Sequence, residues 1–442
     1  MEVKGKLTFW QAVAMAVGTM IGASIFSIFG EGVKIAGNGL PIAFFLSGIY
    51  ALMVAYSYAH FGSKVISNAG PIAFIRLGFG DSPVVGALSI LMWFSYVISI
   101  ALFAISFAGY FLPLIHADYR PLHTVVEVLI IAFFGALNYF GGTKAVGKLE
   151  FWIVVAKLSI LLIFIVAGLS VLHPEYLKPH ITPEYIKGIL TASVIFFLSY
   201  MGFGLITNVS ENIVNPEKTV PRAIYTSIFI VMAVYVLVSV AALGALPAEE
   251  IAKYAENALA VAARPALGDF GFVLVSLGAL ISIISALNAT IYTGANAAYA
   301  LMRDGFIPFP EKLVKREWMG EHLGLYLTCG LGLFFTLSFN ITSVASMISI
   351  ITTSLYLGVI LSHLKLADRI GGNKGLIFFN LMVITFVAVQ IALYQYRTNK
   401  LTFITTVVIF TISFLLELFY YGKRREFSKV LKEGVEEKLS SA

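Results

Sequence analysis

Apolar residues in this chain gather into long runs, and twelve of these approach or exceed roughly 20 residues, the length that carries a helix across the hydrocarbon core of a bilayer. They predict helices over 9–36, 40–61, 83–114, 123–141, 149–172, 186–210, 222–246, 269–301, 323–339, 342–364, 374–394 and 402–421. Segments 3 and 8 are longer than a crossing needs, so they are expected to tilt or to run past the lipid. The first run starts near residue 9 and has no small-residue cleavage site after a short apolar core, so it reads as a retained membrane segment. The predicted fold class is an all-α membrane protein with 12 transmembrane helices. Residues 1–421 form one transmembrane domain and 422–442 a basic cytoplasmic tail.

Composition supports lipid as the outer solvent. The chain is 59% hydrophobic and 12% charged, with a mean hydropathy of +0.89, where a soluble domain carries about 25% charged residues. Half the usual charge cannot solvate a globule of 442 residues. The 36 Phe and 21 Tyr are enough for interfacial belts as well as packing. The net charge of +6 lies in short loops and the tail, which argues against nucleic acid as a partner. Lys and Arg also set the orientation. With the N-terminus inside, 21 of the 30 fall on the cytoplasmic side, 8 on the other, and Lys157 within a segment. Both termini are thus expected in the cytoplasm of a multi-pass cell-membrane protein. Cys329 stands alone, so no intramolecular disulfide forms, and none of the seven histidines pairs at the spacing of a helical zinc site. No metal and no cofactor are implied.

The 14 prolines fall in loops or near segment ends, so any break inside the membrane must come from glycine. Segment 1 carries Gly18-Thr19-Met20-Ile21-Gly22-Ala23-Ser24-Ile25-Phe26, and segment 6 carries Ser199-Tyr200-Met201-Gly202-Phe203-Gly204. Glycines at such spacing also serve as packing notches. These two, however, open two successive five-helix blocks, and interruptions at matching positions of two halves point to a transporter site built on inverted repeats. Unwound backbone is tolerable at that depth only where it lines a cavity. Half-helix N-termini offer N–H groups to a carboxylate, and half-helix C-termini offer carbonyls to an ammonium. Paired breaks are therefore pre-shaped for a zwitterion.

Lys157 lies in segment 5, nine residues beyond Lys148, or roughly 14 Å deeper at about 1.5 Å per residue. A charge at that depth costs at least roughly 2.5–3.5 kcal/mol, so it should face the bundle interior with partners. Desolvation favours the neutral amine and neighbouring carbonyls favour the ammonium. A lysine held between those effects can gain and lose a proton during a cycle; the plainer reading is a permanently charged tie between helices. Glu127, Glu150, Glu211 and Glu417 lie within about two turns of segment ends and are expected at interfaces or in local helix-end contacts rather than as proton carriers.

The segment 1 run from Gly18 to Phe26 resembles the amino acid–polyamine–organocation superfamily of secondary transporters. So do Glu211, Asn215-Pro216 and Pro221-Arg222-Ala223-Ile224 after segment 6, and Met302-Arg303-Asp304-Gly305-Phe306-Ile307-Pro308 after segment 8. The likeness runs over essentially the whole chain and is nearest to the sodium-independent amino acid transporters of archaea. It implies a LeuT-type fold, with segments 1–5 and 6–10 as a 5+5 inverted repeat and segments 11–12 as two additional C-terminal helices. It implies a substrate site at Met20, Ile21, Ala23, Ser24, Ile25, Leu198, Ser199, Met201 and Phe203. The carboxylate would meet N–H groups near Ala23, Ser24 and Ile25, the amine would meet carbonyls of Met20, Leu198 and Met201, and Phe203 would gate the site. Lys157 would occupy the place of a sodium ion, bridging the Gly18 carbonyl region to Ser282 and Ser285 of segment 8.

Two departures bear on substrate. Ser24 stands where many relatives have a third glycine, and Gly204 where many have Asp or Glu. Both favour small neutral amino acids, because a cationic side chain buried without a counter-charge is costly. The resulting expectation is proton-coupled symport of small neutral L-amino acids, with amino acid and protons as partners within the lipid bilayer. An amino acid exchanger with a permanently charged Lys157 is the alternative. An enzyme is disfavoured because the spans hold no histidine pair, acid dyad or nucleophile–base pair. A channel lacks a filter motif, a receptor lacks a soluble output domain, and there is no P-loop for ATP.

Overall fold

The computed structural model describes residues 7–21, 24–66, 70–117, 119–141, 146–179, 181–254, 256–303, 306 and 317–440. Gly22, Ala23, Asp304, Gly305, Ile307 and Pro308 lie outside the described residues, as do Lys144, Lys312, Lys315 and Arg316. The described chain is helical throughout, apart from short connections and one isolated parallel bridge between Leu7 and Ile213.

Segment 1 consists of two helices, α1 (Phe9–Ile21) and α2 (Ser24–Ala36), followed by α3 (Leu40–Lys64). A ten-residue helix, α4 (Gly70–Phe79), comes next and was not foreseen. Then come α5 (Pro83–Leu114), α6 (Arg120–Gly141) and α7 (Val146–Ser170). Segment 6 is α8 (Pro183–Phe196), an eight-residue 3-10 stretch (Phe197–Gly204) and the single turn α9 (Leu205–Asn208). The rest comprises α10 (Pro216–Ala245), the short α11 (Ala248–Ala252) and α12 (Ala258–Ala262), and α13 (Arg264–Arg303). The last helices are α14 (Glu317–Ser338), α15 (Ile341–Lys365), α16 (Ala367–Ile370), α17 (Lys374–Thr398) and α18 (Lys400–Ser440).

Local chemistry explains many of the boundaries. Proline opens α3, α5, α8 and α10, where its missing N–H would be unpaired in any case. Thr182, Asn340 and Asn373 cap α8, α15 and α17 by accepting the N–H of Tyr185, Ser343 and Leu376. Gly268, at φ 61° and ψ −152°, kinks α13 one turn after its start, just before segment 8 begins, and the over-long segment continues from there to Arg303.

Among the described residues, ten helices are long and apolar enough to cross a membrane. Residues Ser24–Lys64 count as one of them, although α2 and α3 turn at a short 3-10 link. Phe9–Ile21 and His322–Ser338 are apolar but shorter. Helices α6, α7, α17 and α18 turn large apolar side chains outward, among them Phe133, Trp152, Phe379 and Phe419, as a lipid-facing surface requires. Two of the carboxylates near segment ends are buried rather than exposed. Glu127 is 8% exposed and Glu417 is fully buried against Gly86 of α5.

Two packed groups position the site. Helices α1, α3 and α10 and the 3-10 stretch pack on one another, while α5 is surrounded by α13, α14, α15 and α18. Helix α7 touches both groups, through α1 and α10 on one side and α13 on the other.

Candidate functional site

The two interrupted segments meet at the centre of the bundle. Helix α1 ends at Ile21 and α2 begins at Ser24, and the 3-10 stretch of segment 6 crosses beside that junction. Eight residues is long for 3-10 geometry. Gly202 makes the approach possible, since a Cβ there would fall 2.7 Å from the Met20 nitrogen and 2.9 Å from Thr19 Cβ. Backbone thus meets backbone, as a site built from main-chain groups requires.

A cavity of about 250 Å³ lies against this contact. Met20, Ser24, Leu198, Ser199 and Met201 line it, together with Gly202 and Gly204. Its other wall comes from α5 (Ser95, Tyr96, Ser99), α13 (Thr290) and α15 (Ile348, Thr352). No Asp, Glu, Lys or Arg is among the lining residues. The buried hydroxyls of Ser199 and Thr352 have no hydrogen-bond partner among the described residues, so the wall keeps polar capacity in reserve.

The cavity reaches toward one end of the bundle. Its lining runs from Ser24 and Ile348 to Pro71 of α4 and Asn208 of α9, and includes the exposed Thr19. Toward the opposite end the route is filled. The Tyr110 hydroxyl donates to the Phe26 carbonyl at 3.0 Å, and Phe26, Phe29, Phe44 and Phe196 are buried there.

The remaining residues singled out in the sequence fall behind this wall. Ile21 and Ile25 are fully buried. Phe203 is also fully buried, 5.2 Å from the Tyr58 ring and 5.7 Å from that of Tyr356, and it is the two tyrosines that face the cavity. The Met20 carbonyl already accepts two hydroxyls, from Ser24 at 2.8 Å and from Tyr235 of α10 at 2.5 Å. Tyr356 Oη stands 3.5 Å from the Met201 carbonyl. Tyr58, Tyr96, Tyr235 and Tyr356 were not anticipated, because a tyrosine in an apolar run carries no local mark of where its hydroxyl points.

Lys157 is 4% exposed, and its Nζ donates to the Gly18 carbonyl at 2.5 Å, joining α7 to α1 within a turn of the break. Gly18 lets the helices come this close, since a Cβ there would lie 2.4 Å from Val154 Cγ2. Ser282 is buried on α13, but its hydroxyl has no hydrogen-bond partner among the described residues. Ser285 is half-buried on the same helix.

A membrane helix bundle with two interrupted segments flanking an uncharged central cavity has the layout of a secondary transporter. Residues 7–422 match the family described as amino acid permease, and the chain belongs to that family. It is a multi-pass membrane transporter of amino acids or related solutes, not an enzyme. The chain is 55% identical over 422 residues to the uncharacterized protein MJ0609 of Methanocaldococcus jannaschii, covering 95% of this chain and 96% of that one. It is 30% identical over 390 residues to the inner membrane transport protein YbaT of Escherichia coli, covering 87% and 89%. It is 23% identical over 325 residues to the branched-chain amino acid permease BcaP of Bacillus subtilis, covering 70% and 69%.

Proposed function

We propose that this chain is a sodium-independent, proton-coupled symporter of small neutral L-amino acids that works by alternating access. On this reading it crosses the cell membrane twelve times in a LeuT-type arrangement, with segments 1–5 and 6–10 as inverted repeats and both termini in the cytoplasm. The observation that carries the coupling is the buried Lys157 ammonium on the Gly18 carbonyl. A protonated lysine beside a helix break holds the two helices as a bound cation would, with no ion to recruit.

Substrate size and charge follow from the cavity. About 250 Å³ with an uncharged lining suits a small zwitterion whose charged ends meet main-chain groups. The carboxylate goes to the N–H groups at the start of α2, around Ala23, Ser24 and Ile25. The amine goes to carbonyls of Met20 in α1 and of Leu198 and Met201 in the 3-10 stretch, with Ser199 beside them in the cavity wall. Since the lysine and arginine bias puts residues 64–76 and 365–374 in the cytoplasm, the cavity is inward-facing in this conformation. Loss of the Lys157 proton toward the cytoplasm loosens α7 from α1 and favours release.

The test is uptake of labelled L-alanine into sodium-free liposomes with the outside acidic. Concentrative uptake that collapses with a protonophore is expected. No net uptake, with rapid entry once vesicles are preloaded with alanine, would replace symport by exchange and leave Lys157 a structural tie.

A further inference from the structure

Helices α8 and α17 leave a groove of about 1060 Å³ between them on the outside of the bundle, floored by Ile35 of α2 and Tyr50 of α3. Along α17 the lining residues Phe386, Gln390, Leu393, Tyr394 and Arg397 recur at helical spacing, so one face of that helix turns into the groove. Lys187, Leu190, Thr191 and Val194 do the same along α8. The groove lies at the end of the bundle where α2 leads into α3 and α17 into α18. That is opposite the end toward which the central cavity reaches.

Polarity along the groove is graded. Glu184, Lys187 and Arg397 stand at its rim, all exposed. Elsewhere at that end Lys34, Lys253 and Arg264 each hold a carboxylate, of Glu31, Glu250 and Asp269. The three charges at the rim hold no partner among the described residues. Further in come Thr191, one turn below Lys187, and Gln390, seven residues before Arg397 and so roughly 10 Å deeper at about 1.5 Å per residue. Both are half-buried, and neither side chain has a hydrogen-bond partner among the described residues. Phe386 and Val194 lie deeper still.

An amide and a hydroxyl at membrane depth are costly unless something bonds to them. The occupant must therefore bring oxygen to the level of Gln390 and Thr191, and hydrocarbon below it. At the rim it must offer an anion to Lys187 and Arg397 and a cation to Glu184. A phospholipid with an ammonium headgroup carries these groups in that order: phosphate and amine at the interface, glycerol oxygens beneath, chains at depth.

We propose that the groove is a binding site for one phospholipid with a primary ammonium headgroup, drawn from the leaflet at that end. Lys187 and Arg397 hold the phosphodiester, and Glu184 accepts hydrogen bonds from the ammonium. Gln390 and Thr191 donate to the glycerol oxygens, and a chain lies over Phe386 and Val194. The occupant braces segment 6 from behind. Tyr50 on the floor has its ring 6.1 Å from that of Phe197, where the 3-10 stretch begins, and its hydroxyl 3.4 Å from Ser193 Oγ. The site is independent of what the central cavity carries.

The test is lipid retention by the purified full-length protein, released from nanodiscs of equal parts phosphatidylethanolamine and phosphatidylglycerol and weighed by native mass spectrometry. One phosphatidylethanolamine should be retained, favoured over phosphatidylglycerol by about tenfold, the scale of a charge-assisted hydrogen bond. Lys187→Gln combined with Arg397→Gln should abolish retention of both lipids. Glu184→Gln should keep a bound phospholipid but lose the choice of headgroup, and Gln390→Leu should lower retention severalfold. Lys400→Gln, at the same end but outside the groove, should change nothing. The substituted side chains hold no protein partner, so folding is not at stake.

Equal retention of the two lipids, a preference for phosphatidylglycerol, or retention of neither by the wild-type protein would overturn the proposal. So would wild-type retention in the double variant or in Gln390→Leu, or an unchanged headgroup preference in Glu184→Gln. Loss in Lys400→Gln as large as in the double variant would reduce the effect to general surface charge and overturn it too.

Discussion

Gly202 and Met20 touch main chain to main chain: a Cβ on the glycine would sit 2.7 Å from the methionine nitrogen. The atom in the way is backbone and cannot swing aside. Gly202→Ala must therefore push the 3-10 stretch off α1, at roughly 1–3 kcal/mol for an overpacked contact. Uptake of labelled alanine should fall at least tenfold while the purified variant still melts cooperatively. Wild-type uptake in this variant would mean that the two interrupted segments need not touch.

Lys157→Ala removes the charged donor to the Gly18 carbonyl, at a cost of about 1.5–3 kcal/mol in stability for a hydrogen bond from a charged group. For proton symport, acidifying the outside must speed wild-type uptake, since protonation loads the carrier on that side. The variant should lose that acceleration, and the comparison is net uptake at several outside pH values with the inside fixed. A variant that keeps the wild-type pH profile would remove Lys157 from the coupling.

Gly18→Ala should act on the same contact from the other helix. Its Cβ would lie 2.4 Å from Val154 Cγ2, forcing α1 away from α7 and stretching the bond to Lys157. Uptake should drop at least tenfold, and Val154→Ala, which clears the colliding methyl group, should restore a large part of it. Recovery in the double variant is the decisive measurement, because independent defects would add.

Gly204 lines the cavity, and a Cβ there would lie 3.3 Å from Tyr58 Cε1, a tight but tolerable contact. Gly204→Asp would place a carboxylate in an otherwise uncharged cavity. Binding of L-lysine or L-arginine should appear, and alanine should bind more weakly, as read by competition against labelled alanine. Failure of any cationic amino acid to compete would mean that position 204 does not face the substrate side chain.

The membrane character of the chain was legible because crossing a bilayer demands length and apolarity, and both are local properties. The 3-10 stretch around Gly202 was legible for a related reason, since glycine clusters stand out in apolar runs without proline. What escaped depends on partners far along the chain. The burial of Glu417 comes from Gly86 on α5, and a position near a segment end gives no hint of it. Tyr235 bonds to Met20, 215 positions away, and its own neighbourhood reads as ordinary packing. Phe203 has the opposite history: the family resemblance implied a cavity-facing gate, yet Tyr58 and Tyr356 line the cavity and Phe203 packs behind them. Helix α4 was passed over because ten residues are too few to cross a membrane.

The bridge between Leu7 and Ile213 closes the circuit around the end of the site toward which the cavity opens. Leu7 N–H donates to the Asn212 carbonyl at 2.6 Å, and Val214 N–H donates to the Leu7 carbonyl at 2.9 Å. Helix α1 is thus fastened at both ends, by this bridge to the loop after segment 6 at one and by the Gly202 contact with segment 6 itself at the other. A rod pinned at two points has no pivot of its own. Any motion that widens the mouth at that end must carry α1 and its partner as a single lever, or first unzip two main-chain bonds beside the N-terminus.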